Sequence, residues 1–235
     1  MILAAGFGTR LGAIGKTTPK CLVEAGGKAM LEHVAQRLKL AGVTELVINL
    51  HHLGDQVKSF VERRGNFGVQ VTFSHEATIL GTGGGIKAAR KFLADAPYFL
   101  VHNGDVYSEF DLAALAQTHV ATRALATLAV MTRETSRPLL FTPEGRLAGW
   151  QGGTGSSEII GDESTLIKRA FSGIHILSRE IFEYMDQQSG EFSIISTYMR
   201  AVKAGAQIAA CETGNSFWID IGTPEKLQEL RRRLG

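Results

Sequence analysis

Residues 1–12 read MILAAGFGTRLG. Met1 to Ala4 is a short apolar run of strand type, and it leads directly into Gly6-Phe7-Gly8-Thr9-Arg10. Glycine has no Cβ, so such a turn lets backbone N–H groups approach phosphate oxygens closely. The arginine at its far end adds a planar fork of donors for the same oxygens. A strand ending in this way opens an α/β unit.

The rest of the chain continues the alternation. Lys28 to Ala41 places Met30, Val34, Leu38 and Ala41 near helical spacing and stops at Gly42. Glu45 to Leu50 reads as a buried strand, Gly54 to Arg64 as a helix and Val69 to Phe73 as a strand. Gly81 to Gly85 reads as a glycine-rich loop running into a helix through Leu93. Tyr98 to His102 is a strand stopping at Asn103-Gly104-Asp105, Asp111 caps a helix to Val120, and Leu125 to Thr132 is a further strand. Later come a strand over Ala170 to Leu177, helices over Glu180 to Asp186 and Ser193 to Ala204, and a strand over Gln207 to Glu212. Phe217 to Ile219 is a short extended piece, and Pro224, suited to a first helical turn, opens a closing helix to Leu234.

This order predicts an α/β protein with a doubly wound, mainly parallel sheet and helices on both faces. A chain of 235 residues suits one domain over residues 1–235. Residues 133–168 differ, being rich in Gly, Ser, Thr and Pro with short strand-like runs at Leu139 to Thr142 and Arg146 to Trp150. They predict a hairpin followed by a mobile loop, Gln151 to Ser164.

A net charge of +2 offers no field for a polyanion, so no nucleic-acid partner is expected. Arg231-Arg232-Arg233 reads as cations on the last turn of a helix. No apolar stretch is long enough to span a bilayer, and the N-terminus lacks a signal-peptide pattern, so no membrane partner is expected either. Cys21 and Cys211 make no disulfide framework. Together these features predict a soluble, cytoplasmic protein.

Two familiar phosphate motifs fail against the first turn. The dinucleotide fingerprint places its third glycine where Leu11 stands, and the second strand ends Asn49-Leu50-His51 with no carboxylate for a ribose. Gly15-Lys16-Thr17 supplies the end of a P-loop, but Arg10 occupies its first glycine. What remains is L-A-A-G-x-G-T-R followed by Thr18-Pro19-Lys20.

That pattern resembles the sugar-1-phosphate nucleotidyltransferase family, whose signature has A-G-x-G-T-R and then P-K. Leu80-Gly81-Thr82-Gly83-Gly84-Gly85-Ile86 is similar to the family's second glycine-rich loop, and Asn103-Gly104-Asp105 to its strand-end G-D. Ser172-Gly173-Ile174 and Trp218-Ile219-Asp220-Ile221-Gly222-Thr223 match later motifs, so the resemblance runs from residue 1 to about residue 230. It implies a Rossmann-like sheet of the nucleotide-diphospho-sugar transferase type. It also implies a reaction in which an NTP, UTP or GTP, meets a sugar 1-phosphate to give an NDP-sugar and pyrophosphate.

The nucleophile in such a reaction is already an anion, so positioning and charge stabilisation dominate. By resemblance, the catalytic residues are Arg10, Lys20 and Asp105. The nucleotide would lie against Leu3, Ala5, Gly6, Gly8, Thr9, Arg10, Lys20, Thr82 and Gly83. The sugar phosphate would lie near Asn103, Lys168 and Gly173, and Asp105 and Asp220 would hold Mg²⁺, a hard ion that takes oxygen ligands.

Other residues read more plainly. His51-His52 point to opposite faces of an extended segment and read as loop histidines, and Cys21 as a packing residue. His75-Glu76, just upstream of the second glycine loop, could line a base pocket. Trp150 and Trp218 read as core or pocket wall. Relatives often carry Arg-Pro where Gly12-Ala13 stands and Pro-Lys-Pro where Pro19-Lys20-Cys21 stands, and some place an acidic residue where Gly81 stands. One helix follows Asp220, so the C-terminal left-handed β-helix that some relatives bear is not expected.

Among subgroups the pattern is most similar to N-acetylmuramate-1-phosphate uridylyltransferases, then to mannose- or heptose-1-phosphate guanylyltransferases. A phosphocholine-type cytidylyltransferase and a catalytically silent nucleotide-binding homologue are the remaining alternatives. The survival of Arg10, Lys20, Asp105 and Asp220 counts against silence.

Overall fold

A computed structural model describes residues 1–153 and 155–235. In its first half, strands β1 (Ile2–Leu3), β4 (Glu45–Leu50), β5 (Gln70–His75) and β6 (Tyr98–Asn103) are separated by helices. These are α1 (Ala13–Thr17), α2 (Met30–Leu40), α3 (Gly54–Arg63), α4 (Gly81–Ala88) and α5 (Arg90–Leu93). A small hairpin, β2 (Glu24–Ala25) and β3 (Lys28–Ala29), precedes α2. The second half holds β7 (Val106–Ser108), α6 (Leu112–Thr122), β8 (Ala126–Met131), β9 (Leu139–Phe141), β10 (Leu147–Gln151), β11 (Ser157–Ile159) and β12 (Ile167–Ser178). It closes with α7 (Ile194–Lys203), β13 (Ile208–Glu212), β14 (Trp218–Asp220) and α8 (Pro224–Leu234).

The central sheet is mixed. Its first half, β6-β1-β4-β5, is parallel, as crossover helices require. The long β12 then runs antiparallel to β6, and β8 pairs with β12 and, in parallel, with β13. Alternate residues enter opposite layers, because a strand's side chains change face at each step. Val47 enters the core beneath α4, α5 and α7, whereas Leu46, Ile48 and Leu50 enter the core beneath α2, α3 and α6.

A third apolar cluster joins Leu11, Met30, Ile219 and Ile221 to Leu227 and Leu230 of α8. Each of these two leucines contributes about 2 kcal/mol by burial, which fastens the C-terminal helix beside the first turn. Side-chain caps fix the helix starts: Asp111 accepts from the Ala113 amide, Ser193 from Ile195 and Thr223 from Lys226. Arg231, Arg232 and Arg233 lie in the last turn of α8. Arg233 pairs with Glu109, and Arg231 donates to the Glu24 carbonyl.

The structure adds to the sequence reading at three places. Within the expected loop Gln151 to Ser164, Gln151 ends β10 and Ser157–Ile159 forms β11 against it, with Trp150 opposite Glu158, while Thr154 lies outside the described residues. The main-chain edge of β10 recruits this strand without help from an apolar pattern. The hairpin region is also continuous with the main sheet, because Ile167–Arg169 of β12 pair with Leu139–Phe141. The glycines from Gly81 to Gly85 are no loop but the first turns of α4. Phe192 lies so close to that face that a side chain on Gly83 would strike its ring, and the Gly83 amide donates to the Phe192 carbonyl at 2.9 Å.

Candidate active site

The carboxyl ends of β1 and β6 face a cavity of about 280 Å³. Open α/β sheets place ligands at this edge, where strand ends leave loops free. Leu3, Ala5, Gly6, Lys20, Thr82, Asn103 and Asp105 of the expected site all line it. Gly8 turns the first loop with φ +65°, a conformation that favours glycine, and lies over Lys20. The amides of Gly6, Phe7 and Gly8 donate to nothing among the described residues. Gly15 lies in α1 with its Cα against the Gly8 backbone, so Gly15-Lys16-Thr17 supports this loop rather than forming a P-loop.

Lys20 sits in a short helical turn after Pro19 and donates to Asp105 Oδ2. Asp105 lies in the two-residue turn between β6 and β7. Its carbonyl accepts from the Ile221 amide at 3.0 Å, and β14 pairs with β7 so that Asp220 faces Val106. The two expected metal carboxylates therefore come from adjacent strand ends. Asp220 accepts from Lys226 Nζ and, at 3.0 Å, from the Gly222 amide. Burial opposes its ionisation, but the Lys226 hydrogen bond and charge, the Gly222 amide and the Lys20 charge outweigh it and hold the carboxyl below its ordinary range. Arg10 is exposed and its guanidinium lies beside Gly222, next to Asp220.

Among the described residues no group of three or more His, Cys, Asp or Glu side chains could hold a metal ion. Two oxygen donors fit an ion that takes its other ligands from water and phosphate, as Mg²⁺ does. His51 and His52 lie in the loop after β4, but both rings pack on Phe7, at 5.3 and 5.6 Å, rather than pointing to opposite faces as expected. Burial pushes the Cys21 thiol up to about 12, so it is a packing residue and no nucleophile.

Gly83 and Lys168 are set apart from the expected groups. Gly83 is buried under Phe192 and does not line the cavity. Lys168 lines a second cleft, with Arg133 and Arg169, rather than the cavity of Asn103 and Asp105. Gly173 does not line the cavity but lies against Asn103, which does. It has φ +77° at an irregularity in β12, and any side chain there would collide with Asn103.

Sequence reasoning brought Glu76 to a base pocket, and Glu76 lines the cavity, but it missed the buried network that holds this side chain. Asn49 accepts from the Ala4 amide at 2.7 Å and donates to Glu76 Oε1 at 2.6 Å, and the Leu80 amide donates to Glu76 Oε2 at 3.1 Å. A side chain on Gly85 would lie 2.7 Å from Glu76, which accounts for one glycine of the run. The available signal was Asn49 itself, a polar residue in the apolar strand ELVINL. Trp218 packs against the core as expected; beyond that, its indole donates to the Ser172 carbonyl at 2.8 Å, and its ring carries the Arg133 guanidinium at 4.2 Å.

The fold is that of the nucleotide-diphospho-sugar transferases, and the chain resembles a crystal structure of HddC from Yersinia pseudotuberculosis complexed with GMP-PN. The two align with a TM-score of 0.80 and 26% identity over 100% of this chain and 98% of that one. The chain belongs to the nucleotidyl transferase family, whose model matches residues 1–141. It is 30% identical to the N-acetylmuramate alpha-1-phosphate uridylyltransferase of Neisseria meningitidis, over 100% of this chain and 97% of that protein. It is also 30% identical to the mannose-1-phosphate guanyltransferase of Yarrowia lipolytica, over 96% of this chain but only 61% of that longer protein. No helix among the described residues is long and apolar enough to cross a membrane.

Proposed function

We propose that this chain joins UTP to N-acetylmuramate 1-phosphate, releasing pyrophosphate. The observation that carries the reading is the Lys20–Asp105 pair at the mouth of the strand-end cavity, beneath a glycine turn with free amides. A lysine there can face an α-phosphate and an incoming sugar phosphate together. The base would enter between β1 and the start of α4, against Leu3, Ala5 and Thr82. The triphosphate would take the amides of Gly6 to Thr9, with Arg10 on its far end.

An oxygen of the sugar phosphate attacks the α-phosphorus. That O–P bond forms as the bond to the bridging oxygen of pyrophosphate breaks, and no proton need move. Lys20 and Arg10 offset the charge gathered where the two anions meet. Asn103, braced by Gly173, would orient the sugar phosphate. Asp105 and Asp220 would hold Mg²⁺, which supplies charge neutralisation for phosphate oxygens.

The choice of UTP and N-acetylmuramate 1-phosphate is supported by the end-to-end match to a uridylyltransferase of similar length. A guanylyl transfer to mannose or heptose 1-phosphate is the second reading, supported by the Yarrowia relative and by the GMP-PN complex of HddC. Pyrophosphate release with Mg²⁺, over a grid of NTPs and sugar 1-phosphates, tests both. Turnover with UTP and N-acetylmuramate 1-phosphate is expected, and it should vanish in Asp105→Asn while UTP still binds. Release only with GTP and a neutral sugar phosphate would replace the first reading by the second. Failure to bind any NTP would refute both.

A further inference from the structure

The second cleft holds about 620 Å³ and is lined in part by Lys168 and Arg169, at the start of β12. Three cations line it, Arg133, Lys168 and Arg169, with Glu134 as the carboxylate of the same wall. Arg169 is already paired with Glu212, whereas Arg133 and Lys168 have no ion-pair partner among the described residues. The cleft is therefore positively biased, with two free cations.

Arg133 is not a loose surface residue. Its guanidinium lies on the Trp218 ring at 4.2 Å, and its Nη2 donates to the Phe171 carbonyl at 3.3 Å. Trp218 stands two residues before Asp220, and its indole is tied to the Ser172 carbonyl. Phe171 and Ser172 run directly into Gly173, which braces Asn103. The stack thus fixes one face of the guanidinium between the strand carrying Asp220 and the strand bearing on the acceptor site. Nη1 also donates to the Glu134 carbonyl at 3.2 Å, so the stacked cation is held in one orientation, keeps its remaining N–H donors for a ligand and loses little freedom on binding.

From this arrangement we infer that Arg133, with Lys168, recognises a second anionic group on the acceptor, a carboxylate borne by the sugar, separate from its phosphate. Arg133 is then a specificity residue, and Lys168 serves this carboxylate rather than the phosphate for which its place in the sequence suggested it. The inference rests on the acceptor reading above. N-acetylmuramate 1-phosphate differs from N-acetylglucosamine 1-phosphate by a lactyl ether that ends in a carboxylate, so the pair isolates that one charge.

The test is kcat/KM for both acceptors with UTP in the wild-type enzyme, Arg133→Ala, Arg133→Lys and Lys168→Ala. Arg133→Ala should lose roughly tenfold or more on N-acetylmuramate 1-phosphate, the order expected for one charge-assisted hydrogen bond. The loss should fall on the KM of that acceptor, collapse its advantage over N-acetylglucosamine 1-phosphate, and be partly restored in Arg133→Lys. Lys168→Ala should shift the same ratio in the same direction. Calorimetric binding of N-acetylmuramate 1-phosphate should weaken in parallel, while thermal unfolding shows that each variant folds. Equal losses on both acceptors would place Arg133 on the phosphate and overturn the inference while leaving the acceptor reading intact. An unchanged ratio would also overturn it. Wild-type enzyme that ignores N-acetylmuramate 1-phosphate but uses a neutral sugar phosphate would remove the acceptor reading and this inference with it.

Discussion

Replacing Asn49 by alanine tests whether the buried network under the first strand holds the nucleotide cavity in shape. Asn49 is 2% exposed and Glu76 6%. The substitution removes the partner of the Ala4 amide and the donor to one oxygen of the Glu76 carboxylate. Each buried polar group left unpaired costs about 1–3 kcal/mol, the charged one more. Both border the cavity, so water can re-solvate part of the gap, which puts the sum at roughly 2–4 kcal/mol. In a domain of this size that lowers Tm by roughly 5–15 °C. Urea unfolding of the wild type, Asn49→Ala, Glu76→Ala and the double variant forms a cycle. With Glu76 gone, the Asn49 substitution should orphan only the Ala4 amide, so coupling of about 1 kcal/mol or more is expected. UTP affinity should fall as well, since the Ala4 amide leads into the glycine turn. A loss of less than about 0.5 kcal/mol, the scale of a neutral surface change, together with unaltered UTP binding would refute the reasoning.

Acid should weaken the fold from just below neutral pH, through two buried histidines. Burial lowers His102 from 6.5 to about 4 and His175 to about 3, His175 being bonded to the buried Tyr198 hydroxyl. The unfolded chain therefore binds more protons than the native one between pH 6.5 and about 4, and stability falls as pH drops through that window, by up to about 2.7 kcal/mol per unit for two groups. Urea midpoints from pH 7 to 4.5 should show that slope, and His175→Gln should shallow it; a flat profile would contradict the buried neutral pair. Gly173→Ala should destabilise by about 2 kcal/mol or more, from positive φ together with the collision with Asn103. Adding Asn103→Ala should recover the collision part only, and full recovery would mean that the backbone conformation costs nothing.

The legible part of this protein lay in local pattern. The first turn, the Gly-Asp after β6 and the Trp-x-Asp before α8 each depend on neighbours within a few residues, and periodicity marked most strands and helices to within two or three positions. Tertiary contacts decided the rest. Glycines 81–85 read as a loop because isolated glycine disfavours helix; Phe192, more than a hundred residues away, makes a bare helical face the only one that fits. Ser157–Ile159 has no strand pattern of its own and became one because the β10 edge offered unpaired main-chain groups. Lys168 seemed to belong with Asn103, yet β12 carries it past the irregularity at Gly173 into another cleft. The sequence by itself determined which chemical groups the protein owns and the strand ends that carry them. The pairing of Lys20 with Asp105, of Asn49 with Glu76 and of Arg133 with Trp218 was settled only by folding, because those partners stand 27 to 85 residues apart and no local spacing encodes contacts across a sheet.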